Sequence, residues 1–177
     1  MEVKLIFKLI GAVVILISSI FIGTVLSNNY KKRPVHLKEL QNCLYVLKSE
    51  MSFLMNYLPT ALLNVYKTSH HQIGEIFKDC SSFLVTNPSD GVYAAWQKSI
   101  QKNISNTSLN QEDKNVILSF GRLLGETDLE MQINNILMMI EKLKFQEQKA
   151  EYERQKNQKI SKSLSIMGGI AIVVLIF

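Results

Sequence analysis

The stretch DLEMQINNILMMIEKLKF, Asp128 to Phe145, decides the fold class of this chain. Its apolar residues recur at intervals of four and three, which places them along one face of an α-helix and makes a packing seam like that of a helical bundle. The seam residues are Leu129, Ile133, Ile136, Ile140 and Leu143. Nowhere is a strand-like alternation of apolar and polar residues sustained between turn residues. The sequence therefore predicts an all-α protein.

Helical periodicity and turn residues predict five more helices before this one. The first is expected from Val35 to Leu58, where leucines and methionines form one stripe. That stripe contains Leu37, Leu40, Leu44, Leu47, Met51, Leu54 and Met55. The others are expected at about residues 59–69, at 72–85, around Trp96, and from Gln111 onward, with a turn at 87–91 and a polar loop at 103–110. We predict an antiparallel bundle of about six helices.

Both ends of the chain are apolar, whereas its middle is charged. The segment from Leu9 to Leu26 contains no charge, and as a helix it would span about 27 Å, close to the ~30 Å core of a bilayer. A second apolar segment closes the sequence. We predict membrane anchors at residues 1–29 and 160–177, on either side of a cytoplasmic helical domain at 30–159. A cleaved signal peptide is the alternative for the first segment, but the basic YKKR directly after it favours an anchor.

The polar residues 146–159 are predicted to form an exposed connector helix, because they lack proline and glycine but offer no apolar face. The seam, this connector and the second anchor would form one continuous helix from Asp128 to the C-terminus. Basic residues flank both anchors on the side of the central domain, which places that domain in the cytoplasm by the positive-inside rule. They are Lys31, Lys32, Arg33 and Lys38 after the first anchor, and Arg154, Lys156, Lys159 and Lys162 before the second.

Composition and motifs give no support for catalysis. Cys43 and Cys80 have no partner motif and suit a reducing compartment, while His70 and His71 are adjacent and make a poor pair of metal ligands. No phosphate-binding G-x-x-x-x-G-K-[ST] and no G-x-S-x-G motif occurs. The net charge of +5 is explained more simply by anionic lipid than by nucleic acid. We predict a protein that is not an enzyme, with no catalytic residue, metal or cofactor, and with no nucleic-acid partner.

The stretch FGRLLGETD, Phe120 to Asp128, contains two glycines four residues apart, a spacing found in membrane helix contacts and in phosphate-binding loops. The charge of Arg122 excludes immersion in lipid, and no strand precedes the stretch as a phosphate loop would require. We predict a tight corner between two helices: Gly121 lets another helix backbone approach, and Gly125 ends the fifth helix. A capping box formed by Thr127 and Glu130 would then start the sixth helix, with Asp128 in its first turn.

Four segments, taken in order, resemble the stage III sporulation protein AB family of endospore-forming bacteria. They are the N-terminal LIGAVVIL with its following YKKRP, the pair ELQNCLYVLKSEM and LPTALLNV, the stretch FGRLLGETDLEMQ, and the C-terminal SLSIMGGIAIVVLIF. The third is the most specific, since it matches the family's F-G-x-x-L-G-x-[ST]-D-x-x-x-Q signature. Leu58 and Ser165 depart from the family's small polar residue and glycine at those positions, which affects only the cap of the second helix and the packing of the last span.

The resemblance implies a fold similar to the cytoplasmic helical domains of the type II secretion platform protein. It also implies a non-enzymatic adaptor in the channel between mother cell and forespore, anchored in the outer forespore membrane and facing the mother-cell cytoplasm. The partners expected are a secretion-type ATPase, other channel components and the lipid bilayer. We expect Gly121, Leu124, Gly125, Asp128 and Gln132 to shape the corner, and Arg122 and Glu126 to be candidates for partner contact. A membrane-anchored helical sensor or signalling adaptor is the alternative function.

Overall fold

The computed structural model describes residue 18 and residues 31–69, 71–124 and 128–176. These residues contain six α-helices and no strand, so the prediction of an all-α fold with about six helices is confirmed for the described chain. The helices are α1 at residues 31–52, α2 at Leu58–Thr68, α3 at His71–Thr86, α4 at Gly91–Asn103, α5 at Gln111–Gly121 and α6 at Leu129–Ile176. Short 3-10 turns at Pro88–Asp90 and Ile104–Asn106 precede and follow α4.

The chain divides into two compact units, Arg33–Lys149 and Met1–Lys32 together with Ala150–Phe177. In the first unit, α2 packs on α3, α3 on α4 and α4 on α5. The indole of Trp96 lies at the centre of this unit, fully buried where α1, α4, α5 and α6 meet. Its surroundings are apolar side chains from the three other helices, namely Leu40, Leu44, Ile117, Phe120, Met139 and Leu143. Burial of each such side chain stabilises the fold by roughly 1.5–3 kcal/mol.

The predicted seam of α6 is largely in place, with Ile136, Ile140 and Leu143 buried. Its first residue, Leu129, is 43% exposed and therefore lies outside the core, contrary to the prediction. Within the predicted exposed connector at residues 146–159, Gln146 and Ala150 are buried. The prediction of one continuous helix is confirmed, since α6 runs unbroken over 48 residues.

The end of α1 differs from the prediction. The helix ends at residue 52 instead of Leu58, and residues 53–57 form a loop before α2 begins. Leu54 and Met55, predicted on the buried stripe, are 60% and 78% exposed. At its other end α1 already includes residues 31–34, before the predicted start at Val35. The sequence predicted a longer α1 because the loop after residue 52 is itself apolar and continues the helical spacing.

The predicted N-terminal anchor lies outside the described residues, apart from Ser18. The backbone of the predicted C-terminal anchor belongs to α6 as far as Ile176. Within the parts of the chain that are described, no helix combines enough length with enough apolar character to cross a bilayer. Both membrane anchors and the division of the chain at residues 29 and 159 stay predictions.

Candidate functional site

The family-like corner begins with Gly121, the last residue of α5, which lies against the indole of Trp96 on α4. A Cβ atom added to this glycine would lie 2.3 Å from Cδ1 and 2.9 Å from Cγ of the indole. Ordinary carbon contacts are about 3.5–4.0 Å, so no larger residue fits here unless the indole moves. The close neighbour of Gly121 is therefore a side chain and not the helix backbone that the sequence suggested.

Trp96 cannot move easily, because it is held on several sides. Its Nε1 donates a hydrogen bond of 2.9 Å to the carbonyl oxygen of Ile117. The rings of Phe77 and Phe120 meet it edge to face, with centroids 5.5 and 5.6 Å away. Such aromatic pairs add to the stabilisation from burial alone. The indole thus joins α3, α4 and α5, and Gly121 makes room for it.

Arg122 lies immediately after α5 and is exposed, with its guanidinium carbon 5.5 Å from the ring centroid of Tyr93. Stacking on an aromatic face orients the guanidinium while leaving its N–H groups open to an acceptor. Both residues line a shallow groove between α4 and α5, together with Asn115, Leu118 and Ser119. Among the predicted contact residues, Arg122 is placed at a surface that another protein can reach, whereas Glu126 lies outside the described residues.

The start of α6 is capped by Asp128, whose Oδ1 accepts a hydrogen bond of 2.8 Å from the backbone N–H of Met131. The helix begins at Leu129, so the described N-cap is Asp128 and lies one residue later than the predicted Thr127. Glu130 is in the first turn, where an acidic side chain interacts favourably with the helix dipole. Thr127 and Gly125 lie outside the described residues, while Leu124 is buried and Gln132 is half-buried on α6.

A buried charge cluster that the sequence did not predict joins α1, α5 and α6. Arg33 makes a two-pronged contact with Asp113, from Nε to Oδ2 at 2.8 Å and from Nη2 to Oδ1 at 3.0 Å. The same Nη2 lies 3.4 Å from Oε1 of Gln146. The Asp113 side chain is completely buried and that of Arg33 is 9% exposed. The sequence predicts Arg33 in the basic flank of the membrane anchor, whereas the structure places its side chain inside the helical unit.

The capping of α5 continues this cluster. Asp113 also accepts from the backbone N–H of Asn110, and the Asn110 side chain accepts from the N–H of Asp113, which completes a capping box. Next to it, Glu112 accepts hydrogen bonds from Lys149 and Gln146, which lower the pKa of its carboxyl below the usual range. Two features of the sequence pointed to this cluster. Asn110 and Asp113 have the three-residue spacing of a capping box, and Gln146 follows Leu143 at the spacing of the buried seam.

The two cysteines and His36 are held in structural positions. Burial raises the pKa of both Cys43 and Cys80 to about 12, so both thiols stay protonated at neutral pH. His36 accepts a hydrogen bond of 2.9 Å at Nδ1 from the backbone N–H of Ser108, which makes it a structural residue between α1 and the loop before α5. Within the described residues, no group of three metal-binding side chains comes together.

Comparisons with known proteins agree with the fold and identify the family. The family model described as Stage III sporulation protein AB matches residues 8–177. Stage III sporulation protein AB of Bacillus subtilis (strain 168) is 29% identical over 169 residues, which cover 96% of this chain and 98% of that protein. A solved structure of stage III sporulation protein AB (SpoIIIAB) is similar with a TM-score of 0.66 and 26% identity, covering 71% of this chain and 98% of the solved one. Since the family model spans nearly the whole sequence, the chain belongs to the stage III sporulation protein AB family.

Proposed function

We propose that this chain is a membrane-anchored, non-enzymatic platform protein of the channel between mother cell and forespore, and that it docks a secretion-type ATPase. The observation that carries the proposal is the family match over residues 8–177, which includes the corner at Gly121 and both apolar ends of the sequence. The basic residues beside those ends support an orientation with the helical domain in the mother-cell cytoplasm. In that orientation the domain meets the ATPase, and the anchors hold it at the outer forespore membrane.

The surface around Arg122 supports the docking role. Its guanidinium is exposed, oriented by Tyr93, and placed at a groove that is open to solvent. Arginine and tyrosine are both enriched among the residues that contribute most of the binding energy in protein interfaces. The groove has the polar and apolar lining of a protein contact and lacks the enclosed shape of a small-molecule site.

Docking is tested by measuring the association of the purified ATPase with the full-length chain in lipid nanodiscs. We expect saturable binding, weakened about tenfold or more by Arg122→Ala, which corresponds to about 1.4 kcal/mol. Lys142→Ala on the exposed face of α6 is the matched control, because it removes a cation elsewhere and should leave the affinity unchanged. Absence of saturable binding to the unmodified chain rejects the docking role.

Orientation is tested by labelling Ser105→Cys with a membrane-impermeant maleimide in intact sporulating cells. Ser105 is exposed in the turn after α4, whereas the two native thiols are buried and protonated, so the introduced cysteine supplies the signal. We expect labelling only after permeabilisation. Labelling in intact cells would place the domain outside the cytoplasm and favour a sensor or signalling adaptor instead.

A further inference from the structure

The loop between α1 and α2 exposes an unusual concentration of large apolar side chains. We call residues 53–57 the apolar loop. Phe53, Leu54, Met55 and Tyr57 are 79%, 60%, 78% and 87% exposed. Single exposed apolar residues are ordinary on protein surfaces, but four within five residues form a patch of the kind that marks an interaction site.

This loop is held in place by a network of hydrogen bonds. Oε2 of Glu50 accepts from the side-chain amides of Asn56 and Asn64, both at 2.8 Å, and so connects the end of α1, the loop and α2. The backbone N–H of Asn56 donates to the carbonyl oxygen of Glu50, and that of Phe53 donates to Ser49. The apolar side chains are therefore presented by a backbone that is already ordered. Ordering before binding reduces the entropy that association has to offset.

The backbone conformation of Met55 is a second, independent feature typical of an interaction site. Its φ is 49°, and it is the non-glycine residue with positive φ in the described chain. A side chain with a Cβ is unfavourable in this conformation, for which glycine or asparagine is normally used. Strained backbone of this kind clusters at ligand contacts and similar functional positions. A large exposed apolar residue therefore occupies a position that would suit glycine.

The lack of charge in this segment favours a protein partner. No residue from Met51 to Tyr66 is charged, and the nearest acidic side chain, Glu50, is engaged in holding the loop. Loops that dock on anionic membranes combine apolar side chains with lysine or arginine, which this segment lacks. Arg33, close to the predicted N-terminal anchor in sequence, lies about 30 Å away along α1. A neutral apolar groove on a protein fits these features, since aromatic residues and methionine are enriched in protein interfaces.

We propose that the apolar loop inserts into an apolar groove of the secretion-type ATPase and supplies the main apolar contact of that complex. This inference rests on the docking function proposed above and adds the surface and the chemistry by which docking occurs. Phe53, Met55 and Tyr57 are the anchoring side chains. Glu50 is a positioning residue, because it orders the loop without contacting the partner.

The test uses the full-length chain in lipid nanodiscs and the purified ATPase. The loop variant is Phe53→Ser, Met55→Ser and Tyr57→Ser combined. Because these side chains are exposed, we expect an unfolding midpoint within about 2 °C of the unmodified chain. We expect the affinity to fall at least about thirtyfold, the effect of losing an interface hot spot. Glu50→Ala keeps every apolar side chain of the loop, and we expect it to weaken binding several-fold through a slower association rate.

A matched control replaces three other exposed apolar residues, in Tyr45→Ser, Val85→Ser and Phe145→Ser. We expect this control to bind the ATPase as the unmodified chain does. If the unmodified chain binds and the loop variant binds equally well, the inference is wrong while the docking function stands. If the unmodified chain does not bind, both are rejected. Loss of binding to protein-free anionic vesicles, with ATPase binding retained, would show a lipid contact and overturn the inference.

Discussion

Replacing Gly121 by alanine is the sharpest perturbation of the family corner. The new methyl carbon would lie 2.3 Å from Cδ1 of Trp96, more than 1 Å inside a normal contact distance. The indole cannot turn away without separating from the Phe77 and Phe120 rings or losing its hydrogen bond to Ile117. Overpacking of this kind costs about 1–3 kcal/mol, and a lost buried hydrogen bond adds about 1 kcal/mol. Alanine recovers at most about 1 kcal/mol of helix propensity, so we expect a net destabilisation of roughly 1–3 kcal/mol.

Urea unfolding of the full-length chain in detergent micelles measures this loss. Trp96 is the sole tryptophan of the sequence, so its fluorescence reports on the perturbed site during unfolding. Near-ultraviolet circular dichroism should change as well, because the indole is displaced. Ser119→Ala, on the exposed side of the same helix, controls for helix propensity and should alter the free energy of unfolding by less than about 0.5 kcal/mol. A Gly121→Ala protein with unchanged stability and an unchanged near-ultraviolet spectrum would refute the packing of Gly121 on Trp96.

Substitutions at three further sites test the polar contacts. Arg33→Met leaves the completely buried Asp113 carboxylate without its cation, so it should lower the free energy of unfolding in urea by about 3–5 kcal/mol. Combining Arg33→Met with Asp113→Asn should recover most of that loss. Equal losses in the single and double variants would contradict the ion pair. Asp128→Ala removes the cap of α6 and should lower the free energy of unfolding by about 1 kcal/mol, and no change would show that the cap is not needed. Burial raises the pKa of Asp79, but hydrogen bonds from Asn103 and Lys102 outweigh that effect and hold it below its usual range. The ionised Asp79 carboxylate therefore stabilises the fold above its unfolded-state pKa of about 4, and this stabilisation is lost as the pH falls through its lower folded-state pKa. Asp79→Asn should make the free energy of unfolding less dependent on pH below about pH 4.

The helices could be predicted from the sequence wherever periodicity and helix-end signals agreed. Pro59 lies in the first turn of α2, and α5 begins at Gln111, as expected. The end of α1 was missed because Leu54 and Met55 continue the apolar spacing of the helix. Periodicity detects apolar residues but cannot distinguish those that face a core from those presented to a partner. The positive φ of Met55 was equally hidden, since no glycine or asparagine occupies that position.

Contacts between residues far apart in the sequence could not be predicted at the candidate site either. The sequence indicated that Gly121 needs a close neighbour, but nothing local identified Trp96, which lies on another helix. The partnership of Arg33 with Asp113 was likewise invisible, because they are 80 residues apart and each had a plausible local explanation. Arg33 resembled a membrane flank, and Asp113 a favourable charge in a first helical turn. Local patterns predict helices and caps, whereas the choice between alternative partners is made by the packed fold.

The buried ion pair and the apolar loop lie at opposite ends of α1. Arg33 is near its start and the loop follows residue 52, about 30 Å further along the helix. α1 and α6 also meet beside Trp96, where Leu40 and Leu44 of α1 line the same cavity as Met139 and Leu143 of α6. The contact of Arg33 with Asp113, supported by Gln146, therefore fixes how far α1, α5 and α6 can slide along one another. A hydrophobic core alone tolerates small axial shifts that a two-pronged ion pair does not, which is the best-supported use of buried charge in helical assemblies. If docking at the apolar loop moves the helical unit as a rigid body, the chain with Arg33→Met and Asp113→Asn keeps its docking surface but loses the contact that fixes its helices. This variant should therefore bind the ATPase normally and still fail to support sporulation.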